Sequence, residues 1–507
     1  MLGCMRLAHA DEAAPLERGA AIIEPTALRE LDRGALGLRS MLTPSRAADA
    51  ALTDADLFAL PAMLPLRKAL DAEFDRYVEK HTSALPNESI GVGSSFAFQL
   101  FDRSVLESQD ARFVLAGVVN RMDRAYADPA HCGEIRLIYR LARTASPEAG
   151  DEAVSVRLPM TLNLVLKARS DAEAADNTPS CAEIARRWLD TSDLRLTGSE
   201  LAARLIDKDG PLALIRPENV MRIETNLQIA HAPKSAIRDF RTDYMMKVFD
   251  YHAESGTFDE GVMEDQIDRD RLLADAGLAR EFRDWLLDPA HLRELDRGTA
   301  LIPDKFLAKV AIAPTPIGFG NSELQSQFGL VQGDDATHPS VFSEDDVVGA
   351  LQKATERGLA MQNIESVAGF ARRLNDIGCA GCHQTRGIGG FHFPGVDWMA
   401  AKPSNTIVVP GSPHFFGDQV RRRDILTAFR DGREPDFSRA FASRPQTRGD
   451  EELAGTEYSD GWGGHCYVRH DNEAENDKSF SRWTCAAGLA CQAGPNTRMG
   501  MCFISTR

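Results

Sequence analysis

Apolar and polar residues alternate along GEIRLIYRLAR (133–143), where Ile135, Leu137 and Tyr139 fall on one side and Arg136, Ile138 and Arg140 on the other. That period of two predicts a strand with one face on a core. The preceding RFVLAGVVNRMD (112–123) is rich in β-branched residues, and Asp128-Pro129 lies in the loop between the two. The pair reads as two antiparallel strands. A third strand is expected over 154–167, with Pro159 at a bulge or an edge, and further strands over 220–230 and 244–251. Helical spacing dominates 15–85, as in Asp54 to Tyr77 with Pro61 and Pro65 interrupting it, and recurs at 182–190, 198–207 and, heavily charged, 266–288. Strands and helices on this scale predict an α+β fold.

The pattern divides the chain. A large α+β domain of residues 11–340 ends in the Gly/Pro-rich run 314–340. At Ser343-Glu344-Asp345-Asp346 a capping box opens a helix carrying Val347, Leu351, Ala354 and Leu359, with Gly358 as a stop. A second helix, about Asn363 to Ile377, runs directly into Cys379. Residues 341–440 thus form a small helical unit. The polar stretch 431–450 leads into a cystine-rich module, residues 441–507.

Composition narrows the function. The 507 residues carry a formal charge of −17, which argues against a phosphate-binding surface and so against nucleic acid as a partner. No run of about 18 apolar residues is present, so no transmembrane helix is expected. Residues 1–10 (MLGCMRLAHA) read as the remnant of a secretory leader, because Ala8-His9-Ala10 has the small-x-small form of a cleavage site. Of the nine cysteines, Cys4 leaves with that leader and Cys379 and Cys382 share one motif. The remaining six suffice for three disulfides: Cys132 with Cys181, and Cys466, Cys485, Cys491 and Cys502 among themselves in any of three connectivities. A zinc site is the rival reading of the last four, but no C-x-x-C pair occurs there. The expected compartment is oxidising, periplasmic or secreted.

Cys379-Ala380-Gly381-Cys382-His383 is C-x-x-C-H, the attachment motif of c-type haem. Thiols three residues apart on a helical turn project to one side and can add to the two vinyl groups of one porphyrin; the next residue offers its imidazole to the iron. With nine Cys and twelve His in the chain, chance supplies such a motif roughly 0.004 times. A thioredoxin-like dithiol normally opens a helix after a strand, whereas here a helix precedes it. With the Gly-rich 387–395 behind it, the segment resembles the haem-bearing stretch of class I cytochromes c. The resemblance implies haem c held by Cys379 and Cys382 with His383 as proximal ligand. For the sixth ligand His414 is preferred, since its loop is long enough to cross the macrocycle; His392, Met399 and an open iron are the alternatives. Arg421, Arg422 and Arg423 read as an exposed basic helix face, with pairing to haem propionates as the second reading.

Asn120, Arg121, Asp123, Glu134 and Arg136 lie on the two neighbouring strands. They read as a cross-strand ion pair such as Arg121 with Glu134, the rival being a carboxylate pair, Asp123 and Glu134, for acid/base work or a cation. Together, VVNRMD…HCGEIRLIYR, RLPMTLNLVL and LNDIGCAGCHQ…GGFHF…SPHF resemble large exported bacterial proteins that carry a single haem motif. No P-loop, dinucleotide fingerprint, GxSxG or HExxH occurs. The expected function is electron transfer with a partner protein or a small-molecule donor or acceptor; a haem-dependent peroxidase or oxygenase, or a secreted binding protein with an accessory haem, are the alternatives.

Overall fold

The computed structural model describes residues 19–42, 58, 60–109, 111–143, 156–170, 179–232, 242–315, 330–331, 339–383, 417–441, 444, 453–493 and 498–505. Its centre is a ten-stranded sheet of β1 (Ala21–Ile22), β2 (Ile90–Val92), β3 (Phe98–Leu100), β4 (Ala111–Arg121), β5 (Glu134–Arg143), β6 (Val156–Lys167), β7 (Val220–His231), β8 (Thr242–His252), β9 (Thr257–Glu260) and β10 (Ala311–Thr315). The order β1-β4-β5-β6-β7 continues into β8, whose far edge is shared by β9 and β10, while β3 and β2 lie beside the end of β7 beyond β6. Every pairing is antiparallel except β2 with β3. The mixed α+β class is as expected, and so are the long strands. Pro159 is exposed beside the register shift between Arg140↔Thr161 and Ala142↔Arg157, where a missing N–H is tolerated.

The pleat sorts the side chains. Ile135, Leu137 and Tyr139 join Leu162, Leu164, Ile223 and Leu227 in the main core. The helices Pro25–Arg33, Leu64–Ala84, Cys181–Asp190 and Gly198–Ile206 supply the other half through Leu28, Phe74, Trp188 and Leu201. Pro61 and Pro65 do not interrupt a helix: they occupy the first positions of the 3-10 turn Pro61–Met63 and of Leu64–Ala84, where an amide hydrogen has no intrahelical acceptor. On the opposite face of the sheet Glu134, Arg136, Arg140, Asn163 and Asn226 are buried despite their polarity.

A second apolar cluster draws on both sides of position 340. Phe282, Leu292 and Phe306 pack with Phe342, Val347 and Phe370. The charged helix expected over 266–288 is two helices, Arg269–Ala274 and Ala276–Leu286, because the Asp275 carboxylate accepts from Gly277 N–H (2.9 Å) and Leu278 N–H (3.0 Å) and starts the second one. Ser343 forms its capping box, accepting from Asp346 N–H at 3.1 Å while Asp346 accepts from Ser343 N–H at 3.0 Å, ahead of Glu344–Glu356.

The last module is a three-stranded sheet, β11 (His465–Tyr467), β13 (Met499–Ile504) and β12 (Leu489–Ala493), in that order. Disulfides join Cys132 to Cys181, Cys466 to Cys491 and Cys485 to Cys502. The sulfurs of Cys466, Cys485 and Cys491 lie within 4.8 Å of one another because two of these bridges are neighbours. Phe441 and Arg444, from the stretch expected to be a polar connection, are built into this module: Phe441 packs on Phe480 and Trp483, and Arg444 donates to the carbonyls of Ser459 (3.0 Å) and Thr484 (2.6 Å). No helix among the described residues is long and apolar enough to cross a membrane.

Candidate cofactor cavity

The helix Val367–Ile377 ends at Gly378, and Cys379–His383 forms one further helical turn at an angle to it. Two small residues between the cysteines set that angle. Ala380 is fully buried among Met246, Val248, Ala311 and Ala313 of β8 and β10, and its N–H donates to Gln266 Oε1 at 3.1 Å. A Cβ on Gly381 would stand 1.6 Å from the Asn375 carbonyl oxygen, so only glycine permits this close return onto the preceding helix. The outcome is that Cys379, half-buried, lines a cavity of about 460 Å³ between the polar face of the sheet and the helical unit. Its sulfur lies 4.0 Å from the Glu264 carbonyl oxygen.

Met246, Val248, Met263, Ile302 and Ile377 give the cavity apolar lining, Met246 and Val248 being the register partners of Asn226 and Glu224. The rest of the lining is largely ionic. Arg136 donates to Glu134 (2.8 Å) and Glu224 (3.0 Å), Arg222 to the same two carboxylates (2.8 and 3.0 Å), and Arg124 sits 3.1 Å from Glu134 and also pairs with Glu264. Burial by itself would raise the Glu134 carboxyl, but Arg124, Arg222 and Arg136 hold it well below the usual carboxylate range. Asp123 behaves alike, burial being outweighed by Arg121, Arg421 and Arg422. Both stay ionised, so the pair does not serve as a general acid. Arg121 and Glu134 are register partners, as the cross-strand reading requires, yet the Arg121 guanidinium turns to Asp123 at 2.8 Å.

Asp265 differs. Its backbone lies in the left-handed region (φ 60°), and burial together with neighbouring Glu264 pushes its carboxyl up to about 7. Oδ1 of Asp265 is buried with no hydrogen-bond partner.

The basic run is corrected. Arg421 and Arg422, expected on an exposed face, are 1% and 6% exposed and pair with Asp418. His414, His392 and Met399 lie outside the described residues, and of Cys382 and His383 only the backbone is described. Sequence reasoning overlooked Arg222 and Glu224, although they alternate with Ile223 in β7; Glu264 and Asp265 offered no signal. No family profile, curated protein or solved structure matches the chain.

Proposed function

We propose that the protein is an exported monohaem c-type protein acting in electron transfer, with haem c attached through Cys379 and Cys382 and His383 as proximal ligand. What supports this most is the position of Cys379 on the lining of a cavity to which both apolar side chains and guanidinium groups contribute. Such a cavity suits a flat, apolar macrocycle that carries two carboxylates at one edge. Three disulfides fit folding in an oxidising compartment, where c-type haem proteins are matured.

When bound, the haem supplies a one-electron iron couple whose potential follows its axial ligands, burial and nearby hydrogen bonds. The chain's own contribution is positional. Ala380 and Gly381 hold the motif against β8 and β10. The ion-paired wall fixes charge near the cavity and, being fully ionised at Glu134 and Asp123, offers no proton. His414 is the proposed sixth ligand. The helices of 341–440, with those of 269–297 that share their core, form the proposed haem-bearing unit. The bound group would exchange electrons with a partner protein or a small donor or acceptor.

Expression with a c-haem maturation system tests the reading. Acidified organic solvent should leave one haem on the denatured chain, and the double variant Cys379→Ser, Cys382→Ser should lose it. Extraction of haem from the parent, or retention by the variant, refutes attachment. A low-spin six-coordinate spectrum that turns high-spin in His414→Ala supports electron transfer; a five-coordinate high-spin parent directs the reading to peroxide or oxygen chemistry instead.

A further inference from the structure

Two buried ionic clusters adjoin the cavity, and their charges do not match. In the first, Arg124, Arg136 and Arg222 meet Glu134, Glu224 and Glu264, three of each sign. In the second, Arg121 donates to Asp123 at 2.8 and 3.2 Å, Arg421 to Asp123 at 2.7 Å and to Asp418 at 2.6 and 3.0 Å, and Arg422 to Asp418 at 2.7 Å. Three guanidinium groups there share two carboxylates. The surplus is deeply buried, Arg421, Asp418, Asp123 and Arg422 being 1%, 4%, 5% and 6% exposed.

The odd cation is Arg422. Its Nη1 is buried and has no hydrogen-bond partner, and the residue lines the cavity. Asp418 and Asp123 are the carboxylates that act on it most, while Arg121 and Arg421 repel it. It stands in the first turn of the helix Gln419–Arg430, where the helix dipole adds positive potential and the one acidic residue at the helix start, the N-cap Asp418, is already shared with Arg421. An unmatched buried cation is strongly unfavourable, and so is an unsatisfied guanidinium N–H.

We propose that the cavity holds an anion subsite at Arg422 that takes a carboxylate group. Within the second cluster one charge is missing, which calls for a monoanion. Glu224 and Glu264 on the same cavity would repel a phosphate dianion. A planar carboxylate also matches the guanidinium fork. Two sources share this chemistry, a propionate of the attached haem and a freely diffusing small monocarboxylate. Only the first rests on the haem reading.

Thermal unfolding of the full chain made without haem separates these possibilities, with acetate against chloride at equal ionic strength as the probe. The haem-free parent should show a saturable upward shift of a few degrees in acetate. Arg422→Gln should abolish the shift, whereas Arg433→Gln, on the exposed end of the same region, should keep it. If the haem-loaded protein no longer responds to acetate, the propionate fills the subsite; if it still responds, a diffusing carboxylate does. A haem-free parent indifferent to acetate, or an Arg422→Gln variant that responds like the parent, overturns the proposal. Should the haem-free chain lack a cooperative transition, the haem-loaded protein decides. There, either acetate shifts the midpoint through Arg422, or Arg422→Gln changes the haem potential while Arg433→Gln does not. Absence of both effects overturns the subsite.

Discussion

Asp265 is a carboxyl on the cavity lining that holds its proton well above the usual carboxylate range. Its carboxyl rises from 3.8 to about 7 because burial and Glu264 disfavour the anion, with Arg439, Arg124 and Arg373 opposing them incompletely. Between those two values the folded chain keeps a proton that the unfolded chain has released. The unfolded state therefore binds fewer protons, and stability falls as pH rises from 3.8 to about 7, after which the penalty is constant. Asp265→Asn should remove that fall, so the variant gains on the parent at pH 7 and matches it more closely at pH 4; denaturant titrations across this window check it, and parallel pH curves for the two proteins would contradict it. None of this was legible in the sequence. The C-x-x-C-H motif was, because it is a local spacing of five consecutive residues. Asp265 comes to Cys379 only through the fold, since its neighbour Glu264 meets that cysteine across 115 positions.

Among the elements, those whose signal is local were read well. β5 followed from alternation alone, and the start of Glu344–Glu356 followed from Ser343 and Asp346. Loss of that cap, in Ser343→Ala, leaves the Asp346 N–H without its acceptor and should lower stability by about 1 kcal/mol, seen as a lower denaturant midpoint with an unchanged slope. A larger slope change would mean that the helix does not fold with the rest. Elements that answer to distant partners were misread. Arg421, Arg422 and Arg423 look solvated by composition, yet Arg421 donates to Asp123 across 298 positions. Periodicity does not register charges neutralised by another part of the chain. Likewise, the Gly/Pro-rich run near 340 marks a change of local pattern, but Phe282 and Phe370, from helices on either side of it, share one cluster with Phe342.

On the scale of the whole molecule, the cystine-rich module acts as a brace for the helix that leads into Cys379. Ser366, which caps Val367–Ile377, donates to Asp477 Oδ2 at 2.8 Å. Gly369 lies so close to Ser479 that a Cβ would stand 2.5 Å from its hydroxyl. Arg372 sits over the Trp483 ring at 5.5 Å and pairs with Asp376 at 3.0 Å, and Asp376 lines the cavity. Arg373 lies over Phe441 of the module at 4.9 Å and donates to the Asp296 carbonyl on the far side at 2.6 Å. The module is small, its core being Phe441, Phe480 and Trp483, so the two disulfides supply order that burial does not. Removing Cys466–Cys491 by double alanine substitution should destabilise the module by about 2–4 kcal/mol. Because the brace loosens with it, amide exchange should quicken in both the module and Val367–Ile377, while β4 to β7, held by their own ladder and core, keep their protection. Faster exchange confined to the module would show that the helix holds Cys379 in place without it.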